Sequence, residues 1–333
     1  MLPVIFGLSG TVLSSDERAF FQAAEPAGFI LFARNIDNPT QVRALTDELR
    51  ALTGRDHLPI LIDQEGGRVA RLTPPHWRSW PAAAALGEAR ALALACERVQ
   101  CNYEALGLEL AVMGITVTCA PVLDVPQPDA HDIIGDRAFA TDPARVAALG
   151  RACLSGLHLA GIEGVIKHVP GHGRALSDSH ESLPRVTASA AALSTDCHPF
   201  AALADAAMAM TAHVVYDAWD AADCASVSAR VIDEQIRGGI GFDGLLISDD
   251  LDMKALTGTV PDRAVAVLEA GCDIALNCWG RMEDMQGIAE CVPAITPQAQ
   301  ARLIRASASL RPVSDSAALQ ERLAALVARR DSR

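Results

Sequence analysis

Aromatic side chains make up only 4% of the 333 residues. That scarcity weighs against an aromatic-rich β-sandwich and suits helices packed on a sheet, with Ala and Leu carrying most of the apolar mass. Positive charge is also short: 28 Lys and Arg face 41 Asp and Glu, leaving a net charge of −13. Nucleic acid and anionic membrane both need a basic face, so neither is expected as a partner. No window of about 18 uninterrupted apolar residues occurs, so no spanning segment is expected. Residues 1–10 lack a basic stretch, and Gly7 breaks their apolar run early. They read as a strand rather than a signal peptide, which makes the cytoplasm the expected compartment. None of the nine cysteines stands in CxxC spacing, which argues against a zinc knuckle or thioredoxin motif. They read as small hydrophobes kept reduced. Nothing resembles a GxGxxG loop or a P-loop.

What is present is ample core material: 50% of the residues are hydrophobic and 21% charged, so bulk disorder is excluded. Short strand-like runs recur at residues 4–8, 28–32, 59–63, 116–121, 164–168, 209–215, 244–248 and 273–277, most of them continuous in Val, Ile and Leu. Unbroken apolar runs mark strands buried on both faces, as in parallel sheets. Helical patterns lie between them, at 39–53 after Asn38, 82–105 ending before Gly107, 143–159 between Asp142 and Gly161, 189–207 and 263–270. Strand then helix, repeated eight times, predicts a single (β/α)8 TIM-type barrel. A doubly wound open sheet is the alternative, weakened by the missing dinucleotide and phosphate loops. No linker divides the chain. The tail after residue 277, with helices expected over about 298–330, is too short for a second domain. Residues 1–333 are therefore expected to form one catalytic domain.

In such a barrel the chemistry sits at the C-terminal strand ends. The third run leads into Asp63-Gln64-Glu65-Gly66-Gly67-Arg68-Val69-Ala70-Arg71. The fourth is followed by Asp124 and then Gly135-Asp136-Arg137, and the fifth by Lys167-His168-Val169-Pro170-Gly171-His172-Gly173 and Ser177-Asp178-Ser179-His180. The sixth ends near His213, the seventh in Ser248-Asp249-Asp250. Each residue has a bland reading. A lone Asp at a strand end is usually a helix cap, and Arg68 is expected to pair with Glu65. The coincidence of Asp63, Lys167, His168, Asp178, His180 and Asp249 at one face is what points to a site. Residues 170–185 are long for a strand–helix loop, and Gly171 and Gly173 can act as hinges. Asp178 and His180 fall on the same side of an extended stretch, so the carboxylate can orient the imidazole as an acid/base group. Three chemistries fit. Asp249 can serve as a nucleophile with His180 as proton donor, as in a retaining glycosidase. His168, His172, His180 and Asp249 can hold a hydrolytic metal, although the HxH after the first strand common in such barrels is missing. Lys167 can form a Schiff base, as in an aldolase.

The segments Ile62-Asp63-Gln64-Glu65-Gly66-Gly67-Arg68-Val69, Lys167-His168-Val169-Pro170-Gly171-His172-Gly173, Asp178-Ser179-His180 and Ile247-Ser248-Asp249-Asp250-Leu251-Asp252-Met253 together resemble the bacterial β-N-acetylhexosaminidases of glycoside hydrolase family 3. The resemblance spans roughly residues 1–300. It implies Asp249 as nucleophile, His180 as acid/base and Asp178 as its orienting partner, with Asp63, Arg71, Arg137, Lys167 and His168 binding N-acetylglucosamine. Larger relatives draw a glutamate acid/base from a second domain; this chain resembles the single-domain branch that uses a loop histidine. Val169 departs from the Phe common in the family, which should alter loop packing and not chemistry. Asp250 is expected to be structural, since neighbours on an extended chain point opposite ways and only one can face the sugar. The resemblance further implies removal of terminal non-reducing N-acetylglucosamine from the anhydro-muropeptides of cell-wall recycling; no metal or cofactor is expected, and the chain is expected to be a monomer. Chitin oligosaccharides present the same terminal sugar.

Overall fold

The eight apolar runs fold as parallel strands. The computed structural model describes residues 1–177, 182–308, 310 and 316–331. Strands Leu2–Gly7, Pro26–Leu31, Ile60–Ile62, Val117–Thr118, Glu163–Val169, Met208–Thr211, Leu245–Asp250 and Ile274–Asn277 pair in chain order, and the first closes on the last into a barrel. We number these barrel strands 1 to 8. Every pairing is parallel.

Both faces of the strands are apolar, and alternate residues go to different places. Ile5, Ile30, Leu61, Val117, Val165, Met208, Ile247 and Ile274 fill the interior, closed at the N-terminal end by Leu303 and Ala306 of helix Pro297–Ser307. Phe6, Phe29, Leu31, Ile60, Ile62, Ile166, Leu246 and Ala275 face the outer helices. Two runs are shorter than expected because proline offers no N–H to the ladder: Pro59 precedes strand 3, and Pro121 follows strand 4. The sixth run breaks after Thr211. Its end, Val215–Tyr216, joins Arg185–Val186 and Asp220–Cys224 in a separate small sheet.

Helices with both a cap and a stop form as expected. Asn38 accepts from the Gln41 amide to start Pro39–Thr53, which ends at Gly54 with φ 65°; Asp142 caps Pro143–Leu159 in the same way. The stretch 82–105 instead divides into Ala83–Gly87 and Leu92–Val112. Gly107 does not stop the second of these. A Cβ there would lie 2.7 Å from Ala160 Cβ, so this glycine permits the close crossing of Leu92–Val112 and Pro143–Leu159. The outer layer also holds Ser15–Ala24, Ala190–Ala202, Val231–Ile240, Val260–Glu269 and Met282–Cys291, and the chain ends in Pro297–Ser307 and Ser316–Asp331.

Candidate active site

The interior positions turn polar one step beyond the core. Two residues past Leu61, Val165 and Ile247, on the same side of their strands, stand Asp63, Lys167 and Asp249; past Ile30 and Leu276 stand Phe32 and Cys278. All five line a cleft of about 300 Å³. Rigid strands thus carry the charges to the barrel mouth.

The loop after strand 3 folds back on itself. Gly66 and Gly67 adopt φ of 94° and 59°, and a Cβ on either would strike Pro81 or Ala82. The buried Gln64 amide grips the returning chain, accepting from the amides of Arg71 and Leu72 and donating to the Leu72 carbonyl. Tyr103 Oη donates to the Glu65 carbonyl. The result brings Glu65 and Arg71 beside Asp63. Lys167 Nζ lies 3.0 Å from Asp63 Oδ1 and 2.6 Å from Glu65 Oε1. An Arg71 amino group is 3.1 Å from Asp63 Oδ2, and Arg137 meets Glu65 through two nitrogens at 2.8 and 2.9 Å. Burial alone would raise the Asp63 and Glu65 carboxyls, but Lys167 with Arg71 or Arg137 outweighs it and holds both below their ordinary range. Burial would likewise lower the Lys167 ammonium, but Asp63 and Glu65 push it up instead. A lysine held as a cation between two carboxylates lacks the free electron pair that a Schiff base requires.

A second set lies beside the first. Asp124, fully buried, accepts from His168 Nδ1 at 2.7 Å and from the backbone amides of His168 and His172. Burial would raise its carboxyl, but His168 lowers it on balance. Burial and then His168 push the His172 imidazole down to about 4. His213 is buried. Its Nε2 donates to the Asp250 carbonyl and its Nδ1 meets Ser226 Oγ. Asp250 Oδ1 accepts from the amides of Cys278 and Asp252, each at 3.2 Å, and burial followed by Asp252 pushes this carboxyl up to about 7. Among the described residues, no three His, Cys, Asp or Glu side chains converge as a metal site would need.

The structure brings Asp63, Arg71, Arg137, Lys167, His168 and Asp249 to one cleft. Asp178 and His180 lie outside the described residues. Two expectations need correction. Arg68 pairs with Asp136 at 3.1 Å and holds the carbonyls of Asp132 and Ile133, so it anchors the turn that delivers Arg137 rather than pairing with Glu65. Asp249 and Asp250 both line the cleft, because the register of strand 7 shifts between Ile247 and Asp250. Gly173, expected as a hinge, is also a packing position: a Cβ there would lie 2.1 Å from the Val125 carbonyl oxygen. Two members of the site were not singled out from the sequence. Glu65 was visible only as an acid beside an arginine. Asp124 interrupts the apolar stretch Val122-Leu123-Asp124-Val125, and that break was its one signal.

The sequence profile of the glycosyl hydrolase family 3 N terminal domain matches residues 9–308. A beta-hexosaminidase of Alkalilimnicola ehrlichii is 39% identical over 327 residues, covering 94% of this chain and 90% of its own. One from Chromobacterium violaceum is 41% identical over 320 residues, covering 93% and 87%. Among solved structures, NagZ from Neisseria gonorrhoeae in complex with N-trifluoroacetyl-D-glucosamine superposes with a TM-score of 0.88 at 32% identity, over 99% of this chain and 96% of that one.

Proposed function

The chain belongs to glycosyl hydrolase family 3 and is a β-N-acetylhexosaminidase, and from that premise we propose a retaining exo-enzyme acting on anhydro-muropeptides. It removes their terminal non-reducing N-acetylglucosamine through a covalent glycosyl-enzyme intermediate. One observation carries this reading: Asp249 stands on a barrel strand in the same cleft as a packed network of two carboxylates, a lysine and two arginines. Ionised carboxylates accept from sugar hydroxyls, while Lys167, Arg71 and Arg137 donate to ring substituents. His168 is turned by Asp124 so that its far nitrogen is left for the sugar.

Asp249 attacks the anomeric carbon and forms the glycosyl ester, and His180, oriented by Asp178, protonates the departing oxygen. The same histidine then takes the proton of the water that cleaves the ester. Residues 1–333 act as one catalytic domain, a cytoplasmic monomer without metal or cofactor. Among the described residues no helix is long and apolar enough to cross a membrane.

A slow 5-fluoro inactivator of the hexosamine series tests the mechanism. Its label is expected on the peptide spanning residues 244–254, at Asp249 by tandem mass spectrometry, and the first-formed sugar should keep the β-anomeric configuration by NMR. A label on Asp250, or an inverted product without adduct, would overturn the assignment. The substrate is tested by kcat/KM, which should be higher for anhydro-muropeptides than for chitin oligosaccharides.

A further inference from the structure

A chain of alternating cations and rings runs from the cleft to the surface. Arg71, bound to Asp63, lies 5.3 Å from the Phe32 ring centre, and Arg34 lies 5.0 Å from the same ring. Arg34 also lies 5.7 Å from the Trp279 ring, and Arg281 lies 5.9 Å from it. These separations are within cation–π range. Trp279 is 54% exposed, although it directly follows Cys278, which lines the cleft. Its backbone is tightly framed. The Cys278 amide donates to Asp250 and its carbonyl accepts from Arg34. A Cβ on Gly280 would lie 2.5 Å from the Leu8 carbonyl carbon. The charges of its two arginines differ. Arg281 is matched by Asp252 and Asp284. Arg34, among the described residues, bonds only to the carbonyls of Leu8 and Cys278 and makes no ion pair.

A rigid, half-open indole at the rim of a sugar cleft, beside a guanidinium that makes no ion pair among the described residues, has the chemistry of a platform for an acidic sugar. Resting on the reading of the cleft as a seat for terminal N-acetylglucosamine, we infer that Trp279 is the aglycone platform: it stacks on the second ring of the substrate, while Arg34 draws that ring's carboxylate. Trp279 is thereby a specificity-determining residue.

The experiment compares wild type, Trp279→Ala and Trp279→Phe on three substrates. N-acetyl-β-glucosaminyl azide has no ring in its leaving group, chitobiose has a neutral one, and N-acetylglucosaminyl-anhydro-N-acetylmuramic acid has a ring bearing a carboxylate. Trp279→Ala is expected to lower kcat/KM on the acidic disaccharide roughly 5–10-fold more than on the azide, and Trp279→Phe to restore most of that difference. Salt at about 0.5 M should weaken wild-type turnover of the acidic disaccharide more than that of chitobiose. Equal fractional losses on azide and disaccharides, in a chain whose wild type is active, would overturn this inference alone, as would an identical salt response of the two disaccharides. A wild type inert on all three would overturn the reading of the cleft, and this inference with it.

Discussion

Asp250 shows how much one half-buried carboxyl can tie this fold to pH. Burial, and then the neighbouring Asp252, push it from the ordinary 3.8 up to about 7. A carboxyl that holds its proton more tightly in the folded chain stabilises the fold below its ordinary value and loses that contribution as pH rises to about 7. Asn mimics the protonated acid. Asp250→Asn and wild type should therefore unfold at similar urea concentrations near pH 4. The variant should pull ahead as pH rises towards 7, by up to about 4 kcal/mol, with no further change above. A gap that is constant over this window would mean that Asp250 does not titrate there. At this scale the sequence is most informative where strand and side-chain parity coincide. Asp63, Lys167 and Asp249 are legible because each follows a buried run by a fixed step. Partners are less so: Glu65 passes over its near neighbour Arg68 for Arg137, 72 residues away, because the Gly66-Gly67 turn carries Arg68 outward to Asp136. Asp124 had no local mark of its bond to His168, 44 residues on.

The loops after strands 4 and 5 are sewn together before the second reaches its central part. Gln127 donates from its backbone to the Gly173 carbonyl at 3.0 Å, and His131 to that of Ala175 at 2.8 Å. Gly173 is what lets the two backbones approach so closely. Gly173→Ala should therefore act as an overpacking mutation costing roughly 1–3 kcal/mol, lowering Tm by several degrees and activity with it, since Asp124 and His172 sit on the same seam. Lost turnover at an unchanged Tm would instead favour the hinge reading. Elements were legible where several local signals agreed. Pro39–Thr53 and Pro143–Leu159 carry cap, first-turn proline and glycine near the end. Ser15–Ala24 also announces itself, through the reciprocal bonds of Ser14 and Glu17, a signal passed over beside the stronger apolar runs. Met282–Cys291 has no side-chain cap to reveal it. The small sheet was illegible because two of its strands are two residues long, below any periodicity.

Across the whole molecule, the eight-fold alternation pointed to barrel closure, and the missing dinucleotide and phosphate loops weighed against the open sheet that the same alternation allows. What the alternation cannot assign is the work of the tail. Pro297–Ser307 puts Leu303 and Ala306 under the barrel, whereas Ser316–Asp331 lies against Leu92–Val112 on its flank. There Leu323 is buried, Leu319, Leu326 and Val327 are partly buried, and Arg322 pairs with Glu104. The cleft opens at the strand ends, so the last helix serves stability and not chemistry. A chain ending at residue 310 should lose roughly 3 kcal/mol of apolar burial and melt about 4 °C lower, while keeping its kcat/KM on an aryl N-acetylglucosaminide at a temperature well below that melt. An unchanged Tm would mean that the helix contributes nothing on the flank. A specific loss of activity in the folded, truncated chain would point to a different role, transmitted through the bond from Tyr103 of Leu92–Val112 to the Glu65 carbonyl. Tyr103→Phe would then reproduce the loss in the full-length chain; on the present reading, removing the tail leaves that bond, and with it the Glu65–Arg137 pair, in place.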